Sequence, residues 1–371
     1  MSGTIQASVV KDSASATNNL TLDTGGNATV GNTLVMGSSF LRNRIINGDM
    51  RIDQRNAGAA VTVNTALDFF PVDRFACSGQ ATDGVFTAQQ SSTAPAGFTK
   101  SVVCTVTTAD ASIGATQRYF IEQKIEGYNV ADFGFGAVGA ATVTLSFWVR
   151  SSLTGTFGGA VSGGQFYPFS YTINAANTWE QKTITIAGST SGTWNTTTGT
   201  GLDITFSLGT GSTYKGTANA WTSSTILSVT GAVDLISTNG ATFYITGVQL
   251  EVGTVATPFE RQIYSNQLAQ CQRYYAALGA GATGYIFSAT GADVAVQFPV
   301  TMRTTPTVAH LANYTIVCVA TATYTVTATI QNSSVAGTNT TGMGLRLTSS
   351  GMTTGNAWLT NGNNIGFSAE L

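Results

Sequence analysis

The sequence predicts an all-β protein built around an antiparallel sandwich, and three observations carry that reading. Apolar residues alternate with small polar ones through most of the chain, as half-buried strands require. Charged residues make up 9 % of the 371 positions, against about 25 % in ordinary soluble domains. Thr, Ser, Gly and Ala fill the difference, and Thr packs well on pleated sheets. Only one segment, "SNQLAQCQRYY" at 265–275, carries helical spacing. A strand series with no βαβ rhythm pairs antiparallel.

Residues 1–41 form a Ser/Thr/Asn/Gly tract with short apolar pulses. So little apolar surface cannot offset ordering entropy alone, which predicts an extended arm that attaches the chain to other proteins. Its start, "MSGTIQASVVKDSASATNN", lacks a basic region followed by an apolar core, so no secretory signal is expected. Charge then enters in "LRNRIINGDMRIDQRN", with Arg42, Arg44, Asp49, Arg51, Asp53 and Arg55. Alternation through "MRIDQ" predicts a half-buried strand with Met50 and Ile52 inward and the charges in solvent.

The domain at 42–262 reads as successive strands, among them "KSVVCTVTT", "RYFIEQKIE", "ATVTLSFWVRSS", "PFSYTINA", "EQKTITIAG", "LDITFSLG", "STILSVTG" and "ATFYITGVQLEV". Val143, Leu145, Phe147 and Val149 should face the core, with Trp148 opposite, under a loop or a neighbouring subunit. A helical junction follows at 263–275, capped by Ser265 or Asn266. Cys271 has no His or second Cys near it in sequence, so packing is its expected role. Tyr274 and Tyr275 should wedge between two β-domains or against copies of themselves, which makes Leu268, Cys271, Tyr274 and Tyr275 the expected subunit contacts. The smaller C-terminal β-domain, 276–371, has four charged residues, Asp293, Arg303, Arg346 and Glu370.

Several motifs resemble known families. "NGDM" (Asn47–Met50), "ATVTLSFWVRSS", "NTWEQKTITI" and "TFYITGVQLEVG" are similar to carbohydrate-binding modules that recognise xylans and β-glucans, which implies a jelly-roll for this region. That family usually has calcium-binding aspartates where Thr246 and Gly247 stand, so no metal is expected. "RNRIINGDMRIDQRN", "SFWVRSS", "TWEQKTITIAGSTSGTW", "ITGVQLEVGTVATPFERQIYSNQLAQCQRYY" and "FPVTMRTTPTV", in that order, resemble bacteriophage tail-fibre and related virion proteins. That resemblance implies a homotrimeric virion component made in the bacterial cytoplasm. Its partners would be other virion proteins through the arm and a host-surface glycan. The alternatives are a capsid decoration or baseplate protein, and a polysaccharide-degrading tailspike.

Other chemistry finds little support. A net charge of −2 without basic clusters gives nucleic acid no footprint, and no apolar run approaches the length of a membrane helix. Cys77, Cys104, Cys271 and Cys318 lack metal spacing and read as buried free thiols. His310 is the only histidine and reads as a hydrogen-bonded strand residue. Glu122/Glu126 and Glu251/Glu260 read as surface ion pairs, and "GFGAVG" (134–139) as a turn. No catalytic residue, metal or cofactor is therefore assigned. The rings of Trp194, Tyr214 and Trp221 stand in Gly/Ser/Thr-rich loops. They either form a sugar-stacking platform or cap the open end of the core.

Overall fold

The computed structural model describes residues 9–10, 20–22, 28–30, 42–65, 68–80, 83–278, 283–310, 314–318, 323–326, 331–332, 339–348, 354, 357–361 and 365–371. The chain divides into two compact units, Met1–Arg42 and Asn43–Leu371. In the first, Val9–Val10, Leu20–Leu22 and Ala28–Val30 pair as a three-stranded antiparallel sheet. The rest of the expected arm lies outside the described residues.

The second unit is all-β, and its main body is a jelly-roll sandwich of two six-stranded antiparallel sheets. The first sheet runs Glu180–Ile186, Val143–Ser151, Thr242–Val252, Ser101–Thr108, Val85–Ser91 and Val61–Val63. The second runs Phe166–Ile173, Gly155–Ser162, Thr200–Thr210, Arg118–Glu126, Phe75–Gly79 and Phe69–Val72. Period-two alternation places the core as expected: Val143, Leu145, Phe147 and Val149 are fully buried in one cluster. The Phe147 ring meets Tyr171 and Phe206 edge-on, each with centroids 5.0 Å apart, the arrangement that ring quadrupoles favour. Cys77, Cys104 and Cys271 are free and buried. Burial, with Cys104 beside it, pushes the Cys77 thiol up. "STILSVTG" yields only the two-residue strand Ser228–Val229, paired parallel with Lys215–Gly216.

Residues 42–60 correct a predicted strand. Met50 and Ile52 are buried as expected, but the backbone turns repeatedly, with positive φ at Asn47 (62°) and Met50 (59°). Buried Asn47 staples the turn: its amide donates to the carbonyls of Ile52 and Asp73, and its Oδ1 accepts from Ile52 N–H, all at 2.9 Å. Asn tolerates the left-handed region better than most residues. Gly48 is required beside it, because a Cβ there would collide with the Val248 carbonyl. The segment thus lies against the far half of strand Thr242–Val252, and Arg44 N–H donates to Leu250 O at 2.9 Å. Not all its charges are solvated: Asp49 is 2 % exposed, while Arg44 and Arg51 are half-buried.

The helix Tyr264–Gln272 starts after Ile263, with no side-chain cap, so neither Ser265 nor Asn266 fills that role. After it, Tyr275–Leu278 pairs with Ile365–Ser368, which also pairs with Thr307–His310. A seven-stranded antiparallel sheet completes the region. The side chains of His310 and Cys318 lie outside the described residues.

The sandwich and these C-terminal strands are joined by a buried network of arginines, tyrosines and carboxylates. Arg74 stacks on the Tyr274 ring at 3.6 Å and Arg55 on the Tyr275 ring at 3.8 Å. Glu370 pairs with both guanidiniums, reaching Arg55 at 2.9 Å. Glu126 accepts two bonds from Arg273, at 2.9 and 2.6 Å, and a third from the Tyr274 hydroxyl at 2.8 Å. Arg303 donates to the carbonyls of Ala369 and Glu370. Burial pulls the Arg74 guanidinium down to about 10, so it stays protonated at neutral pH, and pushes the Tyr274 phenol up to about 12. The acids expected as surface ion pairs are mostly buried: Glu122 6 %, Glu126 1 % and Glu251 2 % exposed.

Two outcomes follow. A chain of residues 43–371 alone should melt within a few degrees of the full chain, since those residues form a compact unit of their own; a large loss would show that the first supports the second. Glu370→Ala takes the paired carboxylate from buried Arg74 and leaves Arg55 only Asp73, at 3.6 Å, and breaking a buried pair costs about 3–5 kcal/mol. Its urea midpoint should fall accordingly, and an unchanged midpoint would make the network dispensable.

Candidate functional site

Two of the three predicted sugar-binding rings come together, and the third does not. Trp194 and Trp221 cross edge to face at 5.5 Å and 89°, each also edge-on to Phe135. Tyr167 packs on Trp221 at 5.1 Å. Both indole N–H groups are spent on backbone carbonyls, Trp194 on Ser191 and Trp221 on Ala187. Gly136, Gly163 and Gly164 press against the Trp194 ring so closely that a Cβ at any of them would clash. These rings cap one end of the sandwich core, and no flat platform is formed. The cleft beside Trp194, about 20 Å³, falls far short of the roughly 300–1,000 Å³ of ordinary ligand sites. Tyr214 stands apart, beneath the Arg118 guanidinium at 4.8 Å.

The expected subunit contacts are used inside the chain. Tyr274 and Cys271 are fully buried and Tyr275 is 2 % exposed, so these three have no surface for a second copy. Leu268 is half-buried. Of the four, only Leu268 keeps surface that a second copy could reach.

A larger cleft lies elsewhere, about 300 Å³, lined by Asp49, Arg51, Phe98, Thr99, Arg261 and Gln262. Three segments build it. The stapled turn supplies Asp49 and Arg51, whose Oδ2 and Nε are 2.5 Å apart. The Arg51 Nη2 also donates to Gln262 O and Gln267 Oε1, both at 3.0 Å, which fixes the start of the helix against the turn. Phe98 comes from the loop between strands Val85–Ser91 and Ser101–Thr108, closed by a bond from Phe98 N–H to Pro95 O. Gly97, at φ +85°, brings that loop close to Arg261.

The third wall is the segment after strand Thr242–Val252, strapped over the outer face of the first sheet. Glu251 accepts from the Thr257 N–H and hydroxyl, and Gln249 Oε1 accepts from Glu260 N–H. That strap presents Phe259 edge-on to Phe98 at 5.2 Å, with Arg261 lying over both rings at 4.8 and 5.8 Å. Gly247, at φ +62° in a bulged stretch of the sheet, leaves room for Phe98 and Trp148 to approach each other. Trp148 is accordingly half-buried under the Phe98 loop. Thr246 is buried, donating to Lys100 O at 2.8 Å.

Chemically, the cleft offers an aromatic face, guanidinium donors and two buried acceptors without donors. Among the described residues, Asp49 Oδ1 and Gln262 Oε1 have no hydrogen-bond partner. An acceptor left so costs about 1–3 kcal/mol. Such a pair beside a ring suits a ligand with hydroxyl donors and an apolar face. Among the described residues, no three His, Cys, Asp or Glu side chains gather as a metal site would require. No helix there is long and apolar enough to cross a membrane.

No protein-family model matches the chain, and no curated protein matches it in sequence. Solved structures share limited likeness with it. One is the enzymatically active domain of bacteriophage CBA120 tailspike protein 4, 13 % identical at TM-score 0.30, covering 57 % of this chain and 21 % of that one. The chain therefore spans about a fifth of that tailspike. Another is the family 11 carbohydrate-binding module from Clostridium thermocellum in complex with a β-1,3-1,4-mixed-linked tetrasaccharide, 12 % identical at TM-score 0.28, covering 54 % of this chain and all 100 % of that one. A third is the C-terminal family 22 carbohydrate-binding module of a Clostridium thermocellum protein, 12 % identical at TM-score 0.29, covering 58 % of this chain and 99 % of that one.

The two aromatic sites should respond differently to substitution. Trp194→Ala removes a ring clamped on the core and should cost about 3 kcal/mol, within the range for large-to-small core changes. Arg261→Met keeps its stem on Phe98 and should change stability by less than about 0.5 kcal/mol, as exposed substitutions do. Thermal melts of both variants check the pair; a stable Trp194→Ala would return that ring to the list of ligand contacts.

Proposed function

We propose that this chain is a non-enzymatic phage tail-fibre component that holds a host-surface glycan in the cleft of Asp49, Arg51, Phe98 and Gln262. The observation that carries the reading is the pair of buried, unpartnered acceptors beside a half-buried ring. A pyranose supplies both complements, hydroxyl donors and an apolar face. The virion context rests on the ordered motifs from "RNRIINGDMRIDQRN" to "FPVTMRTTPTV". Residues 1–41 would join other virion proteins, and assembly as a homotrimer would multiply weak single-site binding by avidity, by ~10²-fold or more where spacing allows. Sedimentation at micromolar concentration checks that assembly, and a persistent monomer would remove it.

One arrangement favours the rival reading of a tailspike hydrolase. On the second sheet, Asp203 stands diagonally across from Glu122 of the neighbouring strand, and burial together with that neighbour raises its carboxyl well above the usual range. Two neighbouring carboxyls are what glycoside cleavage uses. Incubation with host polysaccharide separates the two readings. The proposal expects retention of the polysaccharide with no new reducing ends. Release of reducing ends that Glu122→Gln abolishes would establish the hydrolase instead. Thr99→Trp, at an exposed position on the cleft rim, should fill the cleft and abolish adsorption to host cells without lowering the melt. Unchanged adsorption would move the receptor site elsewhere.

A further inference from the structure

We infer that the ligand of this cleft is an acidic oligosaccharide, its carboxylate paired with the Arg261 guanidinium and its hydroxyls donating to Asp49 Oδ1 and Gln262 Oε1. The inference rests on the glycan reading above and adds the charge of the ligand. It starts from how the cleft's three charges are disposed. Asp49 and Arg51 neutralise one another at 2.5 Å, so Asp49 presents an acceptor without net repulsion toward an anion. Arg261 has no such counterpart. Its contacts are the faces of Phe98 and Phe259, and it forms no ion pair or side-chain hydrogen bond with any described residue. One positive charge in the lining is left uncompensated.

The two rings also hold that charge at the cleft, with the Arg261 guanidinium carbon 4.8 and 5.8 Å from the ring centres of Phe98 and Phe259. A guanidinium carries its N–H donors in its own plane. Those donors have the fork geometry that matches a carboxylate bidentately. The rings hold the group in place at little further entropic cost, so an incoming acid meets a preorganised partner. Gly97 matters here because a Cβ would stand 3.3 Å from Arg261 Nη2 and crowd the fork. A neutral saccharide would satisfy Asp49 and Gln262 but leave Arg261 with water alone. An acidic one satisfies all three.

The test uses the full chain and a panel of oligogalacturonides, oligoalginates and sialosides, each beside its carboxyl-reduced form, followed by titration calorimetry. At least one acidic member should bind about tenfold or more tighter than its reduced partner, a difference of about 1.4 kcal/mol. Rising salt should narrow that gap. Arg261→Met, whose melt is checked in parallel, should weaken the acidic form to the level of the reduced one and leave the reduced form unchanged. Equal binding of acidic and reduced forms, or an acid preference that survives Arg261→Met, overturns the inference while the glycan reading stands. Binding of neither series overturns both.

Discussion

The stacking of Arg55 and Arg74 on Tyr275 and Tyr274, closed by Glu126 and Glu370, is the constraint on which the rest of the second unit depends. A chain with so few charges commits a large share of them to one seam. Burying a guanidinium is costly unless its charge and its donors are both met. Here a ring face meets part of the charge, a carboxylate meets the rest, and Arg74 Nη2 also donates to Lys124 O. Tyr274 is not interchangeable with phenylalanine, since its hydroxyl donates to Glu126, whereas the buried Tyr275 hydroxyl has no hydrogen-bond partner among the described residues. Nor would lysine replace the arginines, because a compact ammonium cannot lie flat on a ring and fork to a carboxylate together. The aromatic pair in "CQRYY" is therefore the contact surface between two β regions of one chain.

That seam and the cleft are mechanically linked through the stapled turn. Arg55 reaches the tyrosines from one end of it, while Asp49 and Arg51 line the cleft from the other. Arg51 further holds Gln267 on the helix whose end delivers Tyr274. Asn47, by fixing the backbone between residues 47 and 52, sets the position of all three charged side chains. A site resting on such a turn is held as firmly as one on a strand, although no strand is present.

Much of the sandwich was legible in the sequence because alternation reports burial directly. "TVTLSFWVR" and "ATFYITGVQLEV" became central neighbours of the first sheet, with their alternate residues in the core. "MRIDQ" shows the limit of the same signal: its two apolar residues are buried, yet positive φ at Asn47 and Met50 replaces a strand with a turn. Alternation records which side chains go inside, not the path of the backbone. The cleft was illegible for a different reason. Asp49 and Gln262 are more than two hundred positions apart in sequence, and neither is unusual until the fold leaves both without a donor. The loop tryptophans show a third limit, since Gly-rich surroundings left exposed platform and core cap both open, and only the fold shows the glycines letting the Trp194 ring pack.

The pairing of Arg74 with Glu370 spans 296 positions, which has a consequence during synthesis. At about 5–20 residues per second, a ribosome would need roughly 15–60 s after making the arginine before its carboxylate exists. Throughout that interval the sandwich can close around its own core, but its seam presents an unneutralised guanidinium. Tyr274 and Tyr275 can already meet Arg74 and Arg55 by then, but both guanidiniums still lack the carboxylate of Glu370. A nascent chain halted in this window would be a folded sandwich with an open, aromatic and cationic flank, the kind of surface that cellular quality control engages. Completion of the seam would then mark, in one step, that translation has passed the strand Ile365–Ser368.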